Sequence, residues 1–214
     1  MTDTVVVIGS GPSPSGISGG EIDRHPVVRM WDHDWQPAER YGSRYDYGLI
    51  TNERNPLRAS RRPDKWWFFY NVPHLPPVTS FDGVPVVEMD HATWYRKAIA
   101  HGAAPGHPRR ALKFTRGFAA VAGVIDHLRP KRVIVIGMDI LRNGFTGSRY
   151  YDPAALPFYI RAYPNMARGI PKWAAEQMPA GVRADGPHDY YAESKVIRDL
   201  SAEAGVEIVW ECAQ

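Results

Sequence analysis

One cysteine, Cys212, stands among 214 residues, so an internal disulfide is excluded and nothing predicts the cross-linked scaffold of a small secreted domain. Charge of one sign is also scarce. A net +3 suits a phosphate-bearing ligand and is far too small to demand nucleic acid. No apolar run is long enough to span a bilayer. Met1 leads through a polar tripeptide into Val5–Ile8 with no basic leader, so neither signal peptide nor membrane anchor is expected, and a reducing cytoplasm is the expected setting. Metal spacing is missing too: the eight histidines and single cysteine form no paired ligand pattern. Asp32-His33-Asp34 is the one compact cluster, and it reads as a solvated turn because neighbours on an extended chain point to opposite sides. With 44% hydrophobic residues, a core of ordinary size remains affordable in one domain.

The apolar residues come as short β-branched runs separated by helical stretches. Val5–Ile8 predicts a buried strand ending at Gly9, and 18–22 predicts a short helical turn. Strands are expected at 27–31, 66–70, 84–88, 132–137 and 206–210, and helices at 93–101, 117–128, 172–177 and 189–204. Residues 33–65 read as a charged loop. Gly205 sits where a helix C-cap glycine belongs. This alternation predicts an α/β single domain spanning 1–214, with a mostly parallel sheet flanked by helices. Residues 52–111 are read as an insertion or an acceptor-side region.

Gly9-Ser10-Gly11-Pro12-Ser13-Pro14 follows the first strand, where backbone N–H groups could receive a nucleotide phosphate. The dinucleotide fingerprint needs a glycine where Pro14 stands, and no Walker lysine follows. A tight turn holding no ligand fits the same residues.

Four stretches together say more. Residues 5–51 contain Gly9-x turn residues, Gly20-x-Ile22-Asp23 with His25, Val28-Arg29-Met30 and Asp46-x-Gly48. Residues 112–140 contain Thr115-x-Gly117 and Gly137-Met138-Asp139. Arg149-Tyr150-Tyr151-Asp152 and His188-x4-Glu193 follow. In this order they resemble the large, small, third and very small sialylmotifs of glycosyltransferase family 29, the sialyltransferases, as a divergent, bacterial-type member.

The resemblance implies a GT-A-like, Rossmann-like domain without a metal or other cofactor, which binds a CMP-sugar donor and transfers the sugar with inversion to a small-molecule or oligosaccharide acceptor. It implies His188 as the general base. Nucleotide or donor contacts are expected from Gly9, Ser10, Gly11, Arg29, Trp31, Thr115, Arg116, Gly117, Asp139, Arg149 and Tyr150, with Tyr151 beside the departing phosphate as a second catalytic candidate. Glu193 is an orienting or structural candidate.

The chain departs from the family at Ser10 and Trp31, where asparagines usually stand, and at Arg149, where a histidine does. Val5 takes the place of a disulfide cysteine of the animal enzymes. The donor sugar therefore stays open.

The chemistry is coherent on its own terms. A nucleoside monophosphate leaves readily, so the needs are a base near neutrality and donors around the phosphate. An unperturbed histidine titrates near about 6.5. His188 also precedes a predicted helix, whose positive end favours the neutral imidazole. Glu193 follows by about 140° of helical turn, so direct pairing would need His188 outside the helix.

Three other readings use the same residues. Water could replace the acceptor, giving a nucleotide or nucleotide-sugar hydrolase, or the pocket could bind nucleotide without catalysis. Alternatively, Arg54, Arg58, Arg61, Arg62 and Lys65 beside Trp66–Tyr70 could bind single-stranded nucleic acid, against the plainer reading of a basic loop entering a buried strand.

Overall fold

The computed structural model describes residues 3–9, 16–30, 37–51, 62–70, 79–89, 91–103, 114–138 and 190–211. The chain runs β1 (Thr4–Ile8), α1 (Gly19–Ile22), β2 (Val27–Arg29), α2 (Ala38–Tyr41), β3 (Tyr47–Thr51), β4 (Trp66–Tyr70), β5 (Ser80–Phe81) and β6 (Val84–Glu88). It continues with α3 (His91–Ala100), α4 (Arg116–Gly123), a π-helical turn (Val124–Leu128), β7 (Arg132–Ile136), α5 (Tyr190–Ala204) and β8 (Glu207–Glu211).

Among the described residues, eight strands form one sheet in the order β5-β6-β4-β3-β2-β1-β7-β8. Every neighbouring pair is parallel except the β5–β6 hairpin. The expected α/β class with a mostly parallel sheet and flanking helices is therefore what the chain adopts. Segment 52–111 supplies β4, β5, β6 and α3, and β4 pairs directly with β3, so these elements extend the same sheet.

Alternation along each strand sorts side chains between two faces. Val5, Val7, Val28, Val133 and Val135 turn to one face, with Tyr47, Leu49 and Phe68, and meet Trp94 of α3, Phe118–Ala122 of α4, and Val196 and Ile197 of α5. Val6, Ile8, Val27 and Ile136 turn to the other, against Ile22 of α1 and Tyr41 of α2. Farther along that second face lie Tyr45, Ile50 and Trp67. All four apolar residues of β1 are buried, which is why its sequence reads as an unbroken apolar run rather than an alternating one.

Two local outcomes differ from the sequence reading. The stretch expected to be loop contains both α2 and β3. Gly48 hides β3, because a glycine inside a five-residue run looks like a turn. Its cause is packing: a β-carbon at Gly48 would collide with the Trp67 ring and lie 2.8 Å from Tyr45 Oη. The helix expected through Leu128 does reach it, but its last turn widens into the π form. Arg129, at φ 45°, then closes it with an N–H bond to the Val124 carbonyl. At the far end Gly205 takes φ 65°, the left-handed geometry of the expected cap.

Gly48→Ala is expected to destabilise the protein by about 1–3 kcal/mol, because the Trp67 ring is buried and cannot yield. Gly20→Ala is the control: nothing lies within 4 Å of its would-be β-carbon. Its stability should hold or rise by up to about 1 kcal/mol. Urea midpoints of the two variants decide the matter.

Candidate functional site

The strand order reverses direction between β1 and β7. From β1 the chain moves outward through β2, β3 and β4, and later returns to lay β7 on the other side of β1. The helices that follow these two strands pack on opposite faces, α1 on one and α5 on the other, and the place at the strands' carboxyl ends, here called the crevice, is where open α/β sheets commonly hold their ligands. Gly9 ends β1 there and donates its N–H to the Ile136 carbonyl at 2.8 Å. A β-carbon on Gly9 would lie 2.5 Å from the Gly137 carbonyl oxygen and 2.6 Å from Met138 Cγ, so only glycine lets the two strand ends converge.

The first turn of α4 stands at the same edge. The α-carbon of Gly117 faces Met138, whose sulfur would be 3.3 Å from an added β-carbon, and Met30 Sδ, following β2, would be 4.0 Å away. Residues that follow β2 and β7 thus meet the start of one helix, and Met138 links it to Gly9 after β1.

Thr115 caps that helix. Its backbone is extended at φ −67° and ψ 155°, and its Oγ1 accepts the Phe118 N–H at 3.1 Å. Arg116 and Gly117 follow as the first helical residues, so their N–H groups precede the first bond of the helical ladder and point out of the helix start. Thr115 and Gly117 thus stand at a helix start, where the sequence reading put them.

Glu193 arrives from α5. One carboxylate oxygen accepts the Thr115 N–H at 2.7 Å and the other accepts the Thr115 hydroxyl at 2.6 Å. Glu193 is 1% exposed, packed between Ala192 and Ser194, which are also buried. Both the hydroxyl and the N–H of Thr115 are therefore committed within the protein. Thr115, expected at the donor, holds the helix start in place, and Arg116 and Gly117 follow it as the first helical residues.

Arg29 also has a task other than the expected one. It shares the sheet face of Val27, opposite α4, and is 3% exposed. Its Nε donates to the Arg44 carbonyl at 2.9 Å, and its Nη2 to the carbonyls of Tyr41 and Gly42 at 2.8 Å each. Around it, Asp23 accepts the N–H groups of Ser43 and Arg44 at 2.8 Å, and the Ser43 hydroxyl at 2.9 Å. Asp46 accepts the Val27 N–H at 2.8 Å and a two-pronged contact from Arg44, at 2.6 and 2.9 Å. Lys65 Nζ adds a contact at 3.6 Å. Asp23, Arg29 and Asp46, three residues that carry the resemblance in 5–51, together brace the turn 41–46 against β2.

Ser10, Gly11, Trp31, Asp139, Arg149, Tyr150, Tyr151 and His188 lie outside the described residues, as do Asp32-His33-Asp34, the expected helix at 172–177 and Arg54, Arg58 and Arg61. Of the basic–aromatic stretch, Trp67 and Phe68 are buried in the sheet, Lys65 contacts Asp46 and the Tyr47 ring, and Arg62 donates to the Asp82 carbonyl at 2.7 Å. These residues follow the reading of a basic turn entering a buried strand. Among the described residues there is no group of three or more His, Cys, Asp or Glu that could hold a metal ion, and no helix is long and apolar enough to cross a membrane.

The residues that sequence reasoning passed over at the crevice are Met30 and Met138 as lining groups. Thioethers carry no polar signal, and only their position after two strand ends hints at such a place. No family model, curated protein or solved structure matches the chain.

The brace titrates. Burial alone would raise the Asp46 carboxyl, but the Arg44 hydrogen bonds, the Val27 N–H and the charges of Arg44 and Lys65 outweigh it and hold it below the usual carboxylate range. Asp23 is likewise lowered: the N–H groups of Ser43 and Arg44 overcome its burial. A depressed folded-state value means that the stabilisation is complete above the unfolded value, about 3.9 for aspartate, and drains away as pH falls from there through the folded value. Asp46→Asn should therefore lose about 1–3 kcal/mol at neutral pH. It should also show a shallower decline than the unmutated protein in urea stability measured from pH 5 downward.

Proposed function

We propose that the chain is an inverting, metal-independent glycosyltransferase of the sialyltransferase type, a divergent relative of glycosyltransferase family 29 with a GT-A-like, Rossmann-like domain. Its donor is a CMP-activated sugar, and its acceptor carries a free hydroxyl. The acceptor oxygen attacks the anomeric carbon as the bond to the phosphate oxygen breaks. CMP leaves, and His188 takes the hydroxyl proton.

One observation carries this reading. Segments of three motif stretches, far apart in sequence, meet at one sheet edge: Gly9 from the first, Thr115–Gly117 with Gly137-Met138 from the second, and Glu193 from the last. Three stretches that the resemblance assigns to one ligand thus lie close to one another, which supports the reading. The N–H groups of Arg116 and Gly117 at a helix start, together with the Arg116 charge, supply the kind of donors that a phosphate requires. Tyr150, Tyr151 and Arg149 are assigned to the same phosphate on the strength of the third motif. Arg29 is given no part, because its donors already serve the 41–46 turn.

Calorimetric titration with CMP, CDP, UMP and GMP tests the reading. CMP should bind, and with preference over UMP and GMP; no heat from any of the four would overturn it. With CMP-sugar, His188→Ala should keep CMP affinity and lose about 10²–10⁴-fold in turnover, the usual share of a general base. CMP released at the full rate with no acceptor present would favour hydrolysis over transfer.

A further inference from the structure

Resting on that reading of the crevice, we propose that Glu193 is a positioning residue for the nucleotide phosphate, acting through Thr115 on the first turn of α4. Each of its carboxylate oxygens accepts from Thr115, one from the N–H and the other from the hydroxyl. The Thr115 hydroxyl is in turn the acceptor for the Phe118 N–H. A single chain of donors therefore runs from inside α4, through the hydroxyl, to a carboxylate on another helix. The carboxylate dictates where the hydroxyl proton points, and so which lone pair faces Phe118.

Burial holds the other end. Glu193 is 1% exposed, and its neighbours Ala192, Val196 and Ile197 sit in the core shared with α4. The carboxylate cannot swing away without disturbing that packing. From Phe118 onward α4 is buried on its own account, whereas Thr115, Arg116 and Gly117 are only half-buried. The contact with Glu193 thus acts on the part of the helix least secured by the core, and that part carries the N–H groups facing the crevice. The two partners lie 78 residues apart, so the link joins the very small motif directly to the small one. The task assigned to Glu193 is setting the angle of α4's opening turn.

The test is CMP titration on Thr115→Val, Thr115→Ser, Glu193→Gln and the double variant Thr115→Val/Glu193→Gln, at a temperature where circular dichroism shows each to be folded. Thr115→Val and Glu193→Gln should each weaken CMP binding about tenfold, the scale of one charge-assisted hydrogen bond. The double variant should also lose about tenfold, because both substitutions cut the same link. Thr115→Ser, which restores the hydroxyl, should recover the affinity lost in Thr115→Val. If Glu193→Gln does not fold, Thr115→Val and its serine counterpart carry the test, since they leave the carboxylate in place. Unchanged affinity in folded Thr115→Val, or losses that multiply in the double variant, overturn the positioning role while the nucleotide site stands. An unmutated protein that ignores CMP overturns both.

Discussion

Strands that run the same way cannot be joined by a tight turn, and seven of the eight strands here do so. Each step from one strand to the next must therefore travel back across a face of the sheet. Two consequences follow. Both faces of the inner strands become core, which is why β1 has no polar position from Val5 to Ile8. All carboxyl ends also gather on one edge, so Met138 meets both Gly9 and the start of α4, which Met30 also approaches, although these residues follow strands that are distant in sequence. The candidate site is a by-product of parallel pairing before it is anything else.

The charged cluster under β2 shows how a motif can be structural. Asp23 and Arg29 satisfy backbone groups of the turn 41–46, while Asp46, held by Arg44, ties that turn to the Val27 N–H of β2. Buried charges of this kind contribute little over an apolar filling, yet removing one partner leaves the other stranded, which makes substitution costly. A resemblance resting on Asp23, Arg29 and Asp46 therefore speaks first to a shared way of folding a turn. Any shared ligand chemistry must rest on Gly9, on α4 and on the segments around His188.

Much of the frame was readable from residue order. Strands with dense β-branched or aromatic runs, β1, β4 and β7, stand out because nothing else explains such runs in a chain of this polarity. The strand β3 was hidden by Gly48, whose cause is an indole from the neighbouring strand, and β5 by its length of two residues. At the site, Thr115 and Gly117 could be placed at a helix start from local pattern alone. The partner of Glu193 could not, since helical geometry predicts neighbours three or four residues away and the contact found is with another helix. Arg29, which the resemblance placed among the donor contacts, meets carbonyls of a turn that has no signature of its own in the sequence.

Among the described residues, the outermost strands bear on how the molecule behaves in company. On one side β5 is only two residues long and runs against the direction of the rest, offering an incoming chain almost no template. On the other, β8 begins and ends with Glu207 and Glu211, so a second copy laid alongside in register would bring like charges together at both ends. Brevity guards one flank and repulsion the other, and a sheet this rich in valine, isoleucine and tryptophan is thereby discouraged from growing into its neighbours when crowded.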